Sequence, residues 1–204
     1  MSRPRYARVA VLDAGASNIF SVLNALERTG LFASAVHDPK GLAGADAIVF
    51  PGVANFGTIC AALDARGLRD PLLARLRAGV PFLGICAGLQ VLFDESEEAP
   101  GIRGLAVLRG SVRRLRSPKV PHIGWTRCRP LNAGAIVEPG WAYFAHSYAP
   151  PEAAGCCVAT ASYDEHFAAA CVTDNVAGVQ FHPEKSGAYG AAFLARWAES
   201  WHAL

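Results

Sequence analysis

Phe82-Leu83-Gly84-Ile85-Cys86-Ala87-Gly88-Leu89-Gln90 opens as an apolar run too short for a helix and closes on a helical start. Residues 82–86 read as a buried strand and 88–94 as a helix that follows at once. Between them a nucleophilic sulfur sits in a G-x-C-x-G pattern, the cysteine form of a nucleophile elbow. Gly84 and Gly88 suit a turn so tight that a Cβ would strike neighbouring backbone. Such a turn lifts the Cys86 sulfur above the sheet edge. It also places the sulfur at a helix N-terminus, where the backbone dipole favours a thiolate. The N–H of Ala87 points toward the same spot and would stabilise an oxyanion. The competing reading is a structural cysteine on a strand that ends in glycines.

Upstream of this segment, strand and helix signals alternate. Residues 9–12 form a short apolar run ending at Asp13-Ala14-Gly15, and Phe20, Leu23, Asn24 and Leu26 then recur at helical spacing until Gly30. Strands are expected over 32–36 and over 47–50, the latter stopped by Pro51-Gly52, and helices over 58–67 and 71–78. Apolar strands too short to alternate, each followed by a helix, imply a parallel sheet covered on both faces. Ligands on such sheets bind beyond the carboxyl ends of the strands, where loops 13–18, 51–57 and 86–90 lie. Downstream the pattern changes to strands over 105–115, 143–148, 157–162, 168–173 and 176–181. A final amphipathic helix over 189–201 turns Phe193, Leu194, Trp197 and Trp201 to the core. No repeat, low-complexity tract or linker interrupts the chain, so a single domain over 1–204 is the economical division.

Composition narrows the function classes. With 204 residues, 52% apolar and 18% charged, the chain can bury a continuous core. A net charge of +2 gives no electrostatic reason to expect nucleic acid or an anionic membrane. The basic run Arg113, Arg114, Arg116, Lys119 reads as a solvated hairpin or loop in preference to a patch for a phosphate-bearing or acidic partner. The best apolar stretch, 80–93, is too short to span a bilayer and contains Pro81, Gly84, Gly88 and Gln90. The basic start leads into an apolar run interrupted by Asp13 and Gly15, unlike a signal peptide. The expectation is a soluble, cytoplasmic protein. Six cysteines, at 60, 86, 128, 156, 157 and 171, include no CxxC pair, so six thiols and no metal are expected.

A base for the nucleophile is found near the C-terminus, in Gly178-Val179-Gln180-Phe181-His182-Pro183-Glu184-Lys185-Ser186. A residue before proline is pushed out of the helical region, so His182 should be extended. Residues two apart in an extended segment share a side, so Glu184 can accept a hydrogen bond from one ring nitrogen and fix the tautomer. The other nitrogen is then free to face a thiol, which is the logic of nucleophile, base and orienter. A surface His-Pro-Glu turn is the plain alternative. His37, His166 and His202 have no comparable setting and read as surface or structural.

Taken together, Cys86 in its elbow and His182-Pro183-Glu184 near the C-terminus resemble the class I (triad) glutamine amidotransferases, in the chain order Cys, His, Glu. Further segments resemble the glutaminase subunit of imidazole glycerol phosphate synthase. They are 13–18, Pro51-Gly52-Val53-Ala54-Asn55-Phe56, Val120-Pro121-His122-Ile123-Gly124-Trp125, Tyr143-Phe144-Ala145-His146-Ser147-Tyr148 and Gly178 to Ser186. The likeness runs over about 9–197. It implies a flavodoxin-like three-layer α/β fold with a mainly parallel central sheet and an additional antiparallel region, and no cofactor. By the same resemblance Cys86 attacks the glutamine carboxamide, His182 protonates the departing ammonia and then activates water, and Glu184 holds His182. Gly52, Gln90, Glu98, Ser147 and Tyr148 match glutamine-binding positions, and the N–H groups of Val53 and Ala87 match the oxyanion hole. Asn18, Trp125 and Lys185 match positions near a subunit interface.

Four departures stand out: Ala14 for a family tyrosine, Ser17 and Ala54 for glycines, and Ala87 for a leucine. If position 54 needs a positive φ, alanine costs about 1 kcal/mol or more relative to glycine. The chain carries no second domain to accept ammonia, and free ammonia would be lost to solvent. The resemblance implies a heterodimer with a cyclase of (βα)8-barrel fold that makes imidazole glycerol phosphate and AICAR in histidine biosynthesis. One docking face would carry Asn18, Trp125, Tyr148 and Lys185. A class I glutaminase feeding another synthase, for a pyridine cofactor, a purine or an amidino sugar, is the alternative within the same chemistry. A catalytically silent regulatory subunit on the same fold is the alternative outside it.

Overall fold

The computed structural model describes residues 7–13, 15, 18–133 and 135–201; the departures at Ala14 and Ser17, and His202, lie outside them. In chain order the elements are β1 (Arg8–Leu12), α1 (Ile19–Glu27), β2 (Phe32–Val36), α2 (Pro39–Ala43), β3 (Ala47–Gly52), α3 (Phe56–Ala65), α4 (Arg69–Arg77), β4 (Phe82–Cys86) and α5 (Ala87–Gln90). Then follow β5 (Glu95–Ser96), β6 (Ser111–Arg114), β7 (His122–Pro130), β8 (Gly140–His146), β9 (Tyr148–Ala149), β10 (Cys157–Tyr163), β11 (Glu165–Thr173) and β12 (Val176–Val179). A 3-10 turn (Pro183–Lys185) leads into α6 (Gly187–Ser200).

Nine strands form one sheet in the order β2-β1-β3-β4-β12-β11-β10-β7-β8. The half from β2 to β12 is parallel, and its strands β3 and β4 are buried along their whole length. That is the burial expected of strands covered by helices on both faces. From β12 to β8 the pairing is antiparallel. The antiparallel region is therefore largely an extension of the same sheet. A separate three-stranded sheet, β5-β6-β9, flanks it.

One face of the sheet packs on α1 and α6 through Val22, Leu26, Phe193, Leu194 and Trp197, and Trp201 is buried with them as the final helix's apolar stripe requires. The other face packs on α3 and α4 through Phe56, Ile59, Leu63, Leu72 and Leu76. Among the described residues no helix is long and apolar enough to cross a membrane.

Three local expectations are corrected. The helix read over 88–94 ends at Gln90, and residues 105–110 form no strand. The two departures have one cause. The N–H groups of Leu105 and Leu108 donate to the carbonyls of Val91 and Leu92, at 2.7 and 2.9 Å. Residues 105–108 thus satisfy the helix-end carbonyls rather than a ladder partner. The third correction is β7, a strand absent from the sequence reading. Residues 122–128 pair with β8 and Arg129 and Pro130 with β10, although Gly124 and alternating Thr and Arg hid the strand in the sequence. The basic run is exposed at Arg113, Arg114, Arg116 and Lys119, in keeping with its solvated reading.

Candidate active site

The elbow is built by close backbone approach. A Cβ on Gly88 would lie 1.8 Å from the Phe50 carbonyl oxygen, and one on Gly84 would lie 2.5 Å from the Gly88 carbonyl oxygen. Only glycine lets β3, β4 and the turn after β4 come this near. The turn forces Cys86 to φ 55° and ψ −111°. This conformation is strained for a residue with a side chain, and such strain concentrates at functional positions. With α5 only four residues long, geometry more than a long helix dipole sets the sulfur's surroundings.

β3 brings the second wall. Gly52 is in register with Cys86, so Val53 and Ala54 emerge beside the nucleophile. Among the described residues the non-glycine positions with φ in the left-handed region are Cys86, Ala106, Asp164 and Asp174. Ala54 therefore carries no left-handed strain, and the glycine it replaces is not needed for this backbone.

His182 follows β12, the strand beside β4. Its backbone is extended, φ −100° and ψ 97°, as the following proline demands. Glu184 reaches it by a different route from the one expected. Residues 183–185 wind into a 3-10 turn, and that turn swings the carboxylate back to the ring. Nδ1 of His182 lies 2.7 Å from Oε1 of Glu184, with both side chains 3% exposed. The Cys86 sulfur also acts on the ring. Nδ1 donates to the carboxylate, so Nε2 is the nitrogen left for the sulfur. Burial works against a charged imidazole, but Cys86 and Glu184 together outweigh it and push the His182 pKa up to about 10.

Ser186 fixes the turn. Its hydroxyl accepts from the Tyr143 N–H at 2.9 Å and donates to the His182 carbonyl at 2.6 Å. The His182 N–H donates to the Tyr143 carbonyl at 2.8 Å. The base is thus stapled to β8.

Cys86 and His182 open on a cavity of about 340 Å³, at the small end of the range for small-molecule sites. Val53, Ala87, Gln90, Glu98, Ser147, Tyr148 and Lys185 also line it. Gly52 does not. It stands behind the wall, where a Cβ would meet the Gly88 nitrogen at 2.8 Å. Oε2 of Glu98 accepts from the Phe56 N–H at the start of α3, at 2.8 Å. Nε2 of Gln90 donates to the Tyr148 carbonyl at 2.7 Å and to Oε1 of Gln180 at 3.0 Å. Both of its hydrogens are used inside the protein, so only Oε1 is left for a ligand. Among the cavity-lining groups, Gln90 Oε1 and the second oxygen of Glu98 are thus acceptors that suit an ammonium group.

Of the proposed docking residues, Asn18 caps α1, its Oδ1 accepting from the Ser21 N–H at 3.4 Å. Trp125 is half exposed and meets the Tyr143 ring edge-on, and Lys185 Nζ lies over the Tyr143 ring, 5.8 Å from its centre. Helix α1 contacts the turn that carries Lys185. Ile123, on the same face of β7 as Trp125, is also exposed.

Two residues escaped the sequence reading. Ser186 looked like the end of a motif. Gln180, between Val179 and Phe181, is fully buried and donates to the Cys86 sulfur at 3.5 Å. A polar residue inside an apolar strand was the available signal for it. The six cysteines are free thiols. Among the described residues no three His, Cys, Asp or Glu side chains gather as a metal site would require.

Comparison with known proteins matches the family model for class I glutamine amidotransferases over residues 10–199. The imidazole glycerol phosphate synthase subunit HisH of Methanothermobacter thermautotrophicus is 41% identical over 195 residues, covering 94% of this chain and 98% of the relative. The subunit of the same name from Gloeobacter violaceus is 40% identical over 205 residues, covering 96% and 90%. Among solved structures, a glutamine amidotransferase superposes with a TM-score of 0.76 at 22% identity, covering 93% of this chain and 98% of the other. A chain of the PurLQS structure from Thermotoga maritima gives 0.77 at 19%, covering 96% and 98%. At those identities the structures speak for the fold alone.

Proposed function

The chain belongs to the class I glutamine amidotransferases, and from that premise we propose that it is the glutaminase subunit of an imidazole glycerol phosphate synthase. It hydrolyses glutamine to glutamate and ammonia and passes the ammonia to a (βα)8-barrel cyclase subunit. The observation that carries this reading is the buried Cys86–His182–Glu184 array at the wall of a cavity that Gln90 and Glu98 also line.

The chemistry follows from the array. The substrate's ammonium is held by Glu98 and Gln90 Oε1. Its side-chain carboxamide then extends toward Cys86. The thiolate attacks the carboxamide carbon, and the carbonyl oxygen takes up the negative charge. The N–H groups of Val53 and Ala87 stabilise that oxyanion. Imidazolium His182 gives its proton to the amide nitrogen, the C–N bond breaks, and ammonia leaves a thioester on Cys86. Acylation removes the sulfur's negative charge, which is one of the causes that hold the ring protonated. The neutral imidazole then takes a proton from water, hydroxide adds to the thioester, and glutamate departs from a restored thiolate. One ring thus serves as acid and then base because its partner's charge changes between steps.

The docking face is Asn18, Trp125, Tyr148 and Lys185, with Lys185 shared between this surface and the cavity. Exposed aromatics beside a mouth that releases ammonia suit a partner that seals the exit. The test is co-purification with (βα)8-barrel cyclases, followed by glutaminase assay with and without the cyclase substrate. Cys86→Ala should abolish glutamine-dependent synthesis and leave ammonia-dependent synthesis intact. Indifference to every cyclase offered, with full turnover of the isolated chain, would refute the partnership. Equal loss of both syntheses in Cys86→Ala would refute the role of the thiol.

A further inference from the structure

A single run of hydrogen bonds connects β7 to the nucleophile through buried side chains. Thr126 Oγ1 lies 2.9 Å from His122 Nε2, and His122 Nδ1 lies 3.3 Å from His146 Nε2. The two histidines are cross-strand partners on β7 and β8. His146 Nδ1 lies 2.9 Å from the Tyr148 carbonyl oxygen. That same oxygen accepts from Gln90, which also donates to Gln180 Oε1, and Gln180 Nε2 faces the Cys86 sulfur. His122, His146, Gln90 and Gln180 are all buried.

Every donor in this run is fixed from the Tyr148 carbonyl outward, in two independent directions. A backbone carbonyl can only accept, so His146 carries its hydrogen on Nδ1 and accepts at Nε2. His122 must then donate from Nδ1 and accept at Nε2 from the Thr126 hydroxyl. On the other side of the carbonyl, Gln90 must present its nitrogen. Gln180 must therefore turn its oxygen to Gln90 and its nitrogen to Cys86. No other assignment satisfies all six contacts. Burial holds both histidines neutral, with pKa values lowered to about 4 for His122 and about 3 for His146, as the fixed tautomers require.

The strand register explains the aim of Gln180. β12 runs parallel to β4 with Val179 opposite Ile85, so the next residue stands beside Cys86. Its N–H is anchored to the Ala169 carbonyl at 2.9 Å, which prevents the segment from turning.

We propose that Gln180 is a further catalytic residue, a hydrogen-bond donor to the Cys86 sulfur. Its carboxamide is held in the donating orientation by Gln90, which the Tyr148 carbonyl in turn obliges to donate. The donor stabilises the thiolate and fixes the sulfur's direction. This rests on Cys86 being the nucleophile. Gln180 does not line the cavity, so its loss acts on the chemical step more than on substrate affinity. The other titratable or charged groups around the sulfur are His182 and Glu184 on the turn after β12, His146 on β8, and Glu98 and Lys185 across the cavity.

The experiment uses the full chain in complex with its synthase. Gln180→Glu keeps shape and the acceptor toward Gln90 but places an oxygen against the sulfur. Gln180→Leu removes both contacts. Loss of a hydrogen bond to a charged acceptor corresponds to a fall in kcat of about tenfold to a hundredfold. KM should stay within about threefold, and the pH profile of Cys86 alkylation by iodoacetamide should move to higher pH. Melting temperatures are read for both variants. Wild-type kcat and alkylation profile in Gln180→Glu and Gln180→Leu overturn the proposal. So does loss confined to a variant that melts early. If Cys86→Ala itself retains glutaminase activity, the nucleophile assignment falls instead.

Discussion

Replacing Glu184 by Gln isolates the charge of the triad's third member with almost no change of shape. The contact is 2.7 Å long and both side chains are 3% exposed, so solvent screens it little. A buried charge-assisted hydrogen bond contributes about 1.5–3 kcal/mol. At 1.36 kcal/mol per unit, that is about one to two pH units on the ring's titration. His182 is held at about 10 by Cys86 and Glu184 against burial, so the variant's ring should titrate near 8–9. The same energy corresponds to a fall in kcat of about tenfold to a hundredfold. If the new carboxamide turns its NH2 to the ring, Nδ1 must accept, the hydrogen moves to Nε2, and the loss approaches ~10⁴-fold. The titration is followed by NMR of ring-labelled His182 and the rate by coupled detection of glutamate. A midpoint that stays near 10, with kcat within about twofold of wild type, would show that Glu184 neither charges nor orients the base.

Gly88→Ala should destabilise the fold by about 3 kcal/mol or more, because its Cβ would sit 1.8 Å from the Phe50 carbonyl and backbone must move. Urea midpoints measure this, and labelling of Cys86 by a glutamine-analogue electrophile should be lost with it. The His122–His146 pair predicts acid sensitivity. Their folded pKa values lie below the ordinary 6.5, so the stability linked to their neutrality is present above that pH and is lost as pH falls through about 4 and 3. Urea midpoints should fall between pH 6.5 and 4, with a shallower slope in His122→Phe. His182 acts in the opposite sense: its contribution is present below pH 6.5 and disappears as pH rises through about 10. Trp125→Ala should weaken cyclase binding by about 2 kcal/mol, roughly thirtyfold in Kd by titration calorimetry, while analogue labelling of Cys86 in the free chain persists.

The parallel half of the fold was legible because its central strands β3, β4 and β12 are wholly buried and need no alternation. Residues 82–86 appear in the structure with the bounds read from sequence. The second half was less legible because local pattern and pairing diverge there. β7 carries Gly124, Arg127 and Arg129, yet it is held over residues 122–128 by β8 and at Arg129 and Pro130 by β10. Residues 105–108 are apolar enough for a strand, but their N–H groups meet helix-end carbonyls. Neither fact is local, so no window of sequence contains it.

The site shows the same division between what a motif specifies and what only packing reveals. Cys86, His182 and Glu184 could be singled out because proline and glycine constrain backbone at those positions in ways sequence declares. The route from His182 to Glu184 was misjudged, since the 3-10 turn depends on Ser186 tying Tyr143 to His182. Gln90 was assigned to the substrate, but its polarity toward the substrate could not be read. That polarity is set by the Tyr148 carbonyl, 58 residues away, which takes one N–H and so directs the other to Gln180. The consequence is chemical: an amide that in isolation both donates and accepts becomes an acceptor alone toward the cavity. On the proposed function, selectivity for an ammonium end would rest on two residues, Glu98 and Gln90, of which only one is charged. A Gln90→Glu change would put a second carboxylate there and remove the donor that orients Gln180. It should therefore fail in kcat rather than improve KM, and steady-state kinetics in glutamine separate the two outcomes.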